Sequence, residues 1–99
     1  MPWFITSIVN APKSKEKDHR TFGFYNSYNE AYAAVSDNKG NMEECIYDFL
    51  VVEYIEPGIH PFVLIDEWWK WNTQLHRWDK IEKDGVPKTF IGVTNWALG

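Results

Sequence analysis

Four tryptophans crowd into eleven residues of this chain, on either side of a short polar break. The segment 66–82 reads DEWWKWNTQLHRWDKIE. Aromatic residues flanking a short polar break are typical of a β-hairpin, because aromatic side chains favour strands and polar residues favour turns. We therefore predict two antiparallel strands joined by a four-residue loop, Thr73 to His76.

The predicted loop determines which residues of the hairpin lie opposite each other. The expected cross-strand pairs are Trp71 with Trp78, Lys70 with Asp79, Trp69 with Lys80 and Trp68 with Ile81. Because side chains alternate between the two faces of a strand, Trp69, Trp71 and Trp78 would share one face. This tryptophan-rich face is either a wall of the core or a platform for binding, and the sequence leaves both roles open.

Three further segments have the composition of strands. Residues 2–10 and 21–26 are rich in β-branched and aromatic residues, and we expect them to pair antiparallel. Gly23 lies inside the second of these segments, which favours a bulge or the close approach of another backbone. Residues 46–56 carry apolar side chains on both faces, so a central position in the sheet is predicted.

One helix is predicted after the second strand. Ser27 and Glu30 match the capping box, in which the Ser27 hydroxyl accepts a bond from the Glu30 amide and the Glu30 carboxylate reaches back to the Ser27 amide. The helix is expected to end near Asn38. Its predicted apolar stripe consists of Tyr28, Ala31, Tyr32 and Val35. A further helical turn is predicted over residues 41–45.

The order of these elements, β-β-α-β-β-β, predicts the fold class. We expect one small α+β domain spanning residues 1–99, with a two-layer, mainly antiparallel sheet of four to five strands and one principal helix on a face. The apolar C-terminal residues 86–99 are expected to dock on this body, as a last strand or as a short irregular segment.

The charge of the chain argues against one class of ligand. The formal net charge is -4, whereas a protein that binds duplex nucleic acid needs a broad basic face to neutralise phosphates. Positive charge is concentrated in residues 13–20 (KSKEKDHR), which hold four of the ten Lys and Arg residues. We interpret this basic loop either as a solvated turn or as a flap that closes over an anionic ligand.

The sequence also predicts the compartment. The single cysteine, Cys45, cannot form an internal disulfide and fits a reducing environment. No apolar run reaches the roughly 18 residues of a membrane-spanning helix, and the N-terminal sequence lacks the basic region of a secretory signal. We therefore expect a cytoplasmic protein that does not contact a membrane.

No motif in the chain identifies a reaction. His19, His60, His76 and Cys45 lie far apart and show none of the spacings of metal ligands. Phosphate-binding glycine motifs and nucleophile motifs are also missing from the sequence. We therefore predict no metal, no cofactor and no catalytic residue.

Binding is the chemistry that the hairpin favours. Aromatic rings beside cationic side chains suit a base and its phosphate, because rings stack on bases and arginine forms bidentate phosphate contacts. The same residue types are enriched in the hot spots of protein interfaces. The predicted ligand-binding residues come from the hairpin and the second strand: Trp69, Trp71, Arg77, Trp78, Lys80, Arg20 and Tyr25.

Several segments resemble a loose group of short phage and prophage proteins of Gram-positive bacteria. These segments are RTFGFYNSYNEAYAAVSDN (20–38), ECIYDFLVVEYIEPGIHP (44–61), EWWKWN (67–72) and NWALG (95–99). The resemblance implies a small accessory phage protein in the cytoplasm of the host bacterium, where such proteins often counteract defence systems. It assigns no role to any single residue.

Three functions follow as hypotheses. The first is a non-enzymatic counter-defence protein that sequesters a small anionic ligand, a nucleotide-derived immune signal, as a homo-oligomer that encloses more volume than one small chain offers. The alternative is an acidic inhibitor that binds a host defence protein, either anti-CRISPR-like or as a nucleic-acid mimic. The third is a phage nucleotide hydrolase, for which His19, His60 and His76 are the candidate acids and bases.

Overall fold

The fold is taken from a computed structural model, which describes residues 2–9, 19–39, 48–56, 62–90 and 95–97. Residues 13–18 of the predicted basic loop and the helical turn predicted over residues 41–45 lie outside the described residues, whereas the last two residues of that loop, His19 and Arg20, belong to the second strand. Within the described residues the chain forms one sheet, one α-helix and two short 3-10 turns.

The sheet has five antiparallel strands, with the helix between the second and third in the chain. The strands are β1 (Trp3–Ile8), β2 (His19–Tyr25), β3 (Phe49–Glu56), β4 (Phe62–Asn72) and β5 (Arg77–Ile81), and the helix is α1 (Tyr28–Ser36). The spatial order is β2-β1-β3-β4-β5, and every neighbouring pair is antiparallel. The predicted α+β fold is confirmed, and β3 occupies the predicted central position.

Strand β3 is buried on both faces and divides the core into two clusters. On the face covered by α1, Leu50 and Val52 pack with Ala31 and Val35 of the helix. On the opposite face, Phe49 and Val51 pack with Ile8, Trp68, Val86, Phe90 and Trp96. The continuous apolar run of β3 is therefore explained by two separate covers, the helix and the C-terminal segment.

The capping box at the start of α1 is present with a different second bond. The Ser27 hydroxyl accepts from the Glu30 amide (3.2 Å) and donates to the Glu30 carboxylate (3.1 Å). The sequence predicted that the carboxylate would instead accept from the Ser27 amide. The first bond, which satisfies an amide at the open end of the helix, is the one that the prediction shares with the structure.

The buried stripe of α1 shares only Ala31 and Val35 with the predicted one, since Tyr28 is half-buried and Ala34 was not predicted. Ala31, Ala34 and Val35 are buried, whereas the Tyr32 side chain is 43% exposed. The prediction of Tyr32 as a core residue was therefore wrong. Small alanines let the helix lie close to the sheet, and Tyr32 is left at the margin, where its ring meets Trp69 edge-on at 5.3 Å.

The helix ends at Ser36 in a Schellman motif. Asn38 has φ 48°, a left-handed conformation that asparagine tolerates. The Asn38 amide donates to the carbonyl of Val35, and the Lys39 amide donates to the carbonyl of Ala34, both at 3.0 Å. These bonds determine where Lys39 leaves the helix.

Strand β2 contains the bulge that Gly23 predicted. Gly23 lies opposite Ile5 of β1 and Thr21 lies opposite Thr6, so Phe22 is an extra residue in β2. Gly23 has φ 152°, in the region that favours glycine. The bulge therefore places Thr21 and Phe24 on the same face of the sheet although they are three residues apart.

The C-terminal segment docks as irregular structure, one of the two predicted forms. After β5 it makes 3-10 turns at Lys83–Gly85 and Lys88–Phe90, and it covers the sheet face opposite α1. Phe90 and Trp96 pack edge to face, with ring centroids 5.5 Å apart. Their burial supplies the apolar cover that β3 needs on this face.

A buried carboxylate anchors the last described residues. Glu53 of β3 is 2% exposed. It accepts bonds from the Trp96 amide at 3.0 and 2.9 Å and from the Ala97 amide at 3.1 Å. Burial raises the pKa of Glu53 from 4.5 to about 7; these amide bonds oppose the rise, and the nearby Asp66 adds to it. The sequence analysis had assigned no role to Glu53.

Replacing the helix cap tests the local origin of α1. The Ser27→Ala substitution removes the acceptor for the Glu30 amide and should lower the unfolding free energy by about 1 kcal/mol. Urea denaturation followed by circular dichroism measures the change. The matched control is Ser36→Ala, an exposed site in the last turn of the helix, which should stay within about 0.5 kcal/mol of the wild type. Equal effects of the two substitutions would contradict a capping role.

Because the pKa of Glu53 is raised, we predict that low pH stabilises the wild type relative to a variant with an uncharged side chain at this position. Between pH 4.5 and about 7 the folded protein retains a proton that the unfolded chain has lost, so the unfolding free energy falls as the pH rises and then levels off. The Glu53→Gln variant lacks this titration. Relative to that variant, the unfolding free energy of the wild type should fall by about 3 kcal/mol between pH 4.5 and about 7.

Denaturant unfolding of both proteins at a series of pH values measures this difference. The exposed Glu56 ends the same strand, and Glu56→Gln is the matched control, which should follow the wild type. If the wild type instead became more stable relative to Glu53→Gln as the pH rises from 5 to 8, the assigned direction of the pKa shift would be wrong.

Candidate functional site

The tryptophan hairpin has the register that the sequence predicted. Trp71 lies opposite Trp78, and the remaining pairs are Lys70 with Asp79, Trp69 with Lys80 and Trp68 with Ile81. Residues 73–76 form the turn. The side-chain oxygen of Asn72 accepts the amides of Gln74 and Leu75, each at 3.0 Å, so the polar break closes the turn.

Two of the three indoles on the tryptophan-rich face belong to the core. Trp69 is 3% exposed and Trp78 is 4% exposed, and both pack against α1 and β3. The indole N–H of Trp78 donates to the side chain of Asn38 at 3.0 Å. Of the two roles that the sequence left open, the core wall is therefore the one observed for Trp69 and Trp78.

Trp71 is the half-buried member of the same face. Its ring meets Trp78 edge-on at 5.2 Å and His76 at 5.0 Å. It also borders an open cavity of about 350 Å³ beside the turn, whose lining consists of Lys70, Trp71, Asn72, Thr73, Gln74, Asp79 and Ile81. This hairpin cavity contains one cation, Lys70, and one carboxylate, Asp79.

Two cations of the hairpin, Arg77 and Lys80, are engaged with carboxylates, and a third, Lys70, lies over the ring of Phe49. Arg77 pairs with Asp79 at 2.8 Å, and Lys80 pairs with Glu67 at 3.3 Å. Hydrogen bonds from Asn72 and Arg77 lower the pKa of Asp79. An anionic ligand at the hairpin would therefore have to compete with a carboxylate for Arg77 or Lys80.

Glu67 is further held by a tyrosine of the helix. The Tyr28 hydroxyl donates to Glu67 at 2.7 Å. Burial and this hydrogen bond raise the pKa of Tyr28 to about 12. Glu67 thus joins Tyr28 of α1 to Lys80 of β5, and this network stabilises the contact between helix and sheet.

The two predicted site residues outside the hairpin lie at the opposite edge of the sheet. Arg20 and Tyr25 belong to β2, whereas Arg77 and Lys80 belong to β5. Four strand spacings separate these edges, roughly 19 Å at about 4.8 Å per spacing. The predicted residues therefore do not converge on one site for a small ligand.

A second cavity, between strand β2 and helix α1, contains Tyr25. We call it the β2–α1 cavity. Its volume is about 340 Å³, and its lining consists of Ile5, Phe22, Gly23, Phe24, Tyr25, Ala34 and Lys39. Lys39 is the cation of this lining, and no carboxylate contributes to it. It thus differs from the hairpin cavity, whose lining includes a carboxylate as well as a lysine.

Within the described ranges, the cations near the β2–α1 cavity form no ion pairs with carboxylates. Arg20 lies over the ring of Phe22, with its guanidinium carbon 4.8 Å from the ring centroid. Among the described residues, no carboxylate forms an ion pair with Arg20 or Lys39. The carbonyls of Ala34 and Val35 accept the amides of the Schellman motif, and Lys39 follows directly as an exposed cation.

The sequence analysis missed Phe22 and Lys39 as site residues. A cavity between β2 and α1 depends on the distance between the helix and the edge strand, and no local sequence pattern predicts that distance. One signal was available in Gly23, a glycine between two aromatic residues of a strand. A side-chain carbon built at Gly23 would meet no other atom within 4 Å, so the space beside it is open.

The histidines proposed for hydrolysis do not meet in the described structure. His19 starts β2, and His76 lies in the hairpin turn at the other edge of the sheet, while His60 is outside the described residues. Within the described ranges, no three His, Cys, Asp or Glu side chains are grouped to hold a metal ion. Helix α1 is too short and too polar to span a membrane, and the described residues contain no longer helix.

Comparisons with known proteins identify no relatives. No protein family, no curated protein and no solved structure matches this chain.

The burial of the indoles predicts which of them a soluble quencher reaches. In the Trp71→Phe variant, acrylamide should quench a smaller share of the tryptophan emission than in the wild type, because the half-buried ring is gone. In Trp69→Phe, which removes a buried ring of the same hairpin, the quenched share should not fall. A larger fall in Trp69→Phe than in Trp71→Phe would restore the tryptophan face as a binding platform.

Proposed function

We propose that this protein is a non-enzymatic binding protein that holds a small anionic ligand with an aromatic ring in the β2–α1 cavity. The observation that carries the proposal is the composition of that cavity. It combines two aromatic side chains, Phe22 and Tyr25, with the ammonium of Lys39 and with no carboxylate. The cavity replaces the hairpin as the proposed site and keeps Tyr25 from the residues that the sequence suggested, while Arg20 lies beside it over the ring of Phe22.

Charge supports an anionic ligand at this site. The chain carries a net charge of -4, so an anion is repelled by the body as a whole and needs a local excess of cations. Arg20 and Lys39 provide this excess, because neither forms an ion pair with a carboxylate among the described residues. At the hairpin, Arg77 and Lys80 are paired with carboxylates, and the cavity lining itself includes the carboxylate of Asp79.

The aromatic walls and the volume restrict the ligand further. Tyr25 and Phe22 offer ring faces or edges to a flat group, and stacking on a base contributes about 1 to 3 kcal/mol. A volume of about 340 Å³ is at the low end of the range for small-molecule sites. A single nucleotide unit, with one base and its phosphate, fits these requirements better than a long oligonucleotide does.

The cellular role rests on the resemblance to phage and prophage proteins. In a bacterium under phage attack, a nucleotide-derived immune signal is an anionic ligand of this class. We therefore propose that the protein acts in the host cytoplasm as a counter-defence factor that sequesters such a signal. Sequestration requires binding alone, and it makes no demand for a nucleophile, a metal or a general acid.

Binding of nucleotides to purified protein tests the proposed function. Isothermal titration calorimetry with a panel of cyclic and linear nucleotides should identify at least one ligand. Lys39→Gln and Tyr25→Leu should each weaken its binding at least tenfold, about 1.4 kcal/mol, because each removes one direct contact. Lys88→Gln is the matched control, since Lys88 is an exposed lysine in the segment that covers the opposite face of the sheet.

The same titrations distinguish the two cavities. Binding that is lost in Trp71→Phe and Arg77→Gln but retained in Lys39→Gln would move the site to the hairpin. A panel in which no nucleotide binds, with folded protein at millimolar ligand, would reject the proposed ligand class. Conversion of a bound nucleotide to a product would reject the non-enzymatic role.

A further inference from the structure

The two edges of the sheet differ in how they are protected. Strand β5 has five residues, RWDKI, three of which are charged. Strand β2 has seven residues, and its second half, FGFY, has no charge and includes Phe24, which is 58% exposed. Short strands, charged side chains and β-bulges all protect sheet edges from pairing with other strands. The β5 edge is short and charged, whereas the second half of β2 has only the bulge at Phe22 and Gly23.

We propose that β2 pairs antiparallel with β2 of a second copy of this chain, so that two five-stranded sheets join into one and each copy contributes Arg20 to the other's β2–α1 cavity. In the described part of the chain no strand lies beyond β2. The proposed pairing depends only on the exposure, the charges and the bulge of β2. Only the role of the second Arg20 at the cavity rests on the proposed function.

The bulge makes β2 complementary to itself. Thr21 lies opposite Thr6 and Phe24 opposite Phe4, and these partners share one face of β1, so Thr21 and Phe24 share a face as well. Because the bulge adds one residue between them, the backbone N–H and C=O groups of Thr21 and Phe24 point to the same side of the strand. A pairing that sets Thr21 opposite Phe24 of the second copy therefore matches both the faces and the hydrogen-bonding groups.

The same register brings the cavity residues together. When Thr21 lies opposite Phe24 of the second copy, Arg20 lies opposite Tyr25 of that copy. Both belong to the face that α1 covers, since their partners in β1, Ser7 and Trp3, alternate onto that face with Ile5. Arg20 of one copy thereby reaches the ring of Tyr25 in the other, a cation–π geometry at the margin of the cavity.

Charge favours a second copy in this antiparallel arrangement. The end of β2 that carries Arg20 meets the uncharged end of the second strand, at Tyr25, instead of the Arg20 of that strand. Like charges are thus separated by most of the length of the strand. An anionic ligand in the cavity would lie between Lys39 of one copy and Arg20 of the other, so ligand binding should strengthen the dimer.

The mass of the full-length protein in solution tests the pairing. Analytical ultracentrifugation across about 1 to 100 µM should give twice the mass of one chain at the upper concentrations. Phe24→Lys puts a charge on the open edge and should raise the dimer dissociation constant at least tenfold. Leu75→Lys is the matched control, because Leu75 is 57% exposed in the hairpin turn, far from β2, and its variant should dimerise like the wild type.

Cross-linking tests the register. In a Cys45→Ser background, a mixture of the Thr21→Cys and Phe24→Cys variants should form a disulfide-linked dimer under mild oxidation, because the two positions face each other. Either variant alone should not, since the same position in the second copy lies several residues away. Linkage of Thr21→Cys to itself, or equal linkage in all samples, would overturn this register.

Two results would overturn the dimer itself. One is a wild-type protein with the mass of a single chain throughout the concentration series, and the other is a Phe24→Lys variant that dimerises like the wild type. Nucleotide titration of the wild type at protein concentrations below the dimer dissociation constant, with the mass measured in parallel, separates this inference from the proposed function. If a monomeric protein still binds its ligand through Lys39, the function stands without the dimer; if the dimer forms and no nucleotide binds, the dimer stands without the function.

Discussion

The bonds between the Glu53 carboxylate and the backbone amides of Trp96 and Ala97 join the central strand to a segment more than forty residues later in the sequence. Strand β3 exposes apolar side chains on both faces, and a single helix covers one of them. The second cover is an irregular segment that forms few backbone bonds of its own in the described residues. A carboxylate that accepts its amides inside the core gives this segment a defined position, at the cost of burying a charge.

Features that depend on residues close together in the sequence were predictable, and features that depend on distant residues were not. The hairpin register was predictable because a four-residue turn determines every pair beyond it, and the capping box was predictable because Ser27 and Glu30 are three residues apart. Glu53 was not, since its partners are more than forty residues away. Tyr32 was misplaced for a related reason, because the choice between tyrosine and alanine at the contact depends on how closely the helix approaches the sheet.

The candidate site illustrates the same limit in functional terms. Tryptophans beside cations suggested a binding surface, and the sheet uses two of these indoles as core material in a domain that has little other apolar volume. The residues that remain open to a ligand lie at the other edge, where a bulge, a helix end and an edge strand meet. Each of these three features left a trace in the sequence, and only the fold brings them together.

The late position of residues 95–97 has a consequence for how the protein is made. While the ribosome synthesises the chain, strands β1 to β5 and helix α1 emerge before the segment that covers the second face of β3. Until that segment emerges, Phe49, Val51 and Trp68 lack their cover and remain available to chaperones or to neighbouring nascent chains. Formation of the complete core therefore waits until that segment has emerged, even though the hairpin and the capped helix can form earlier.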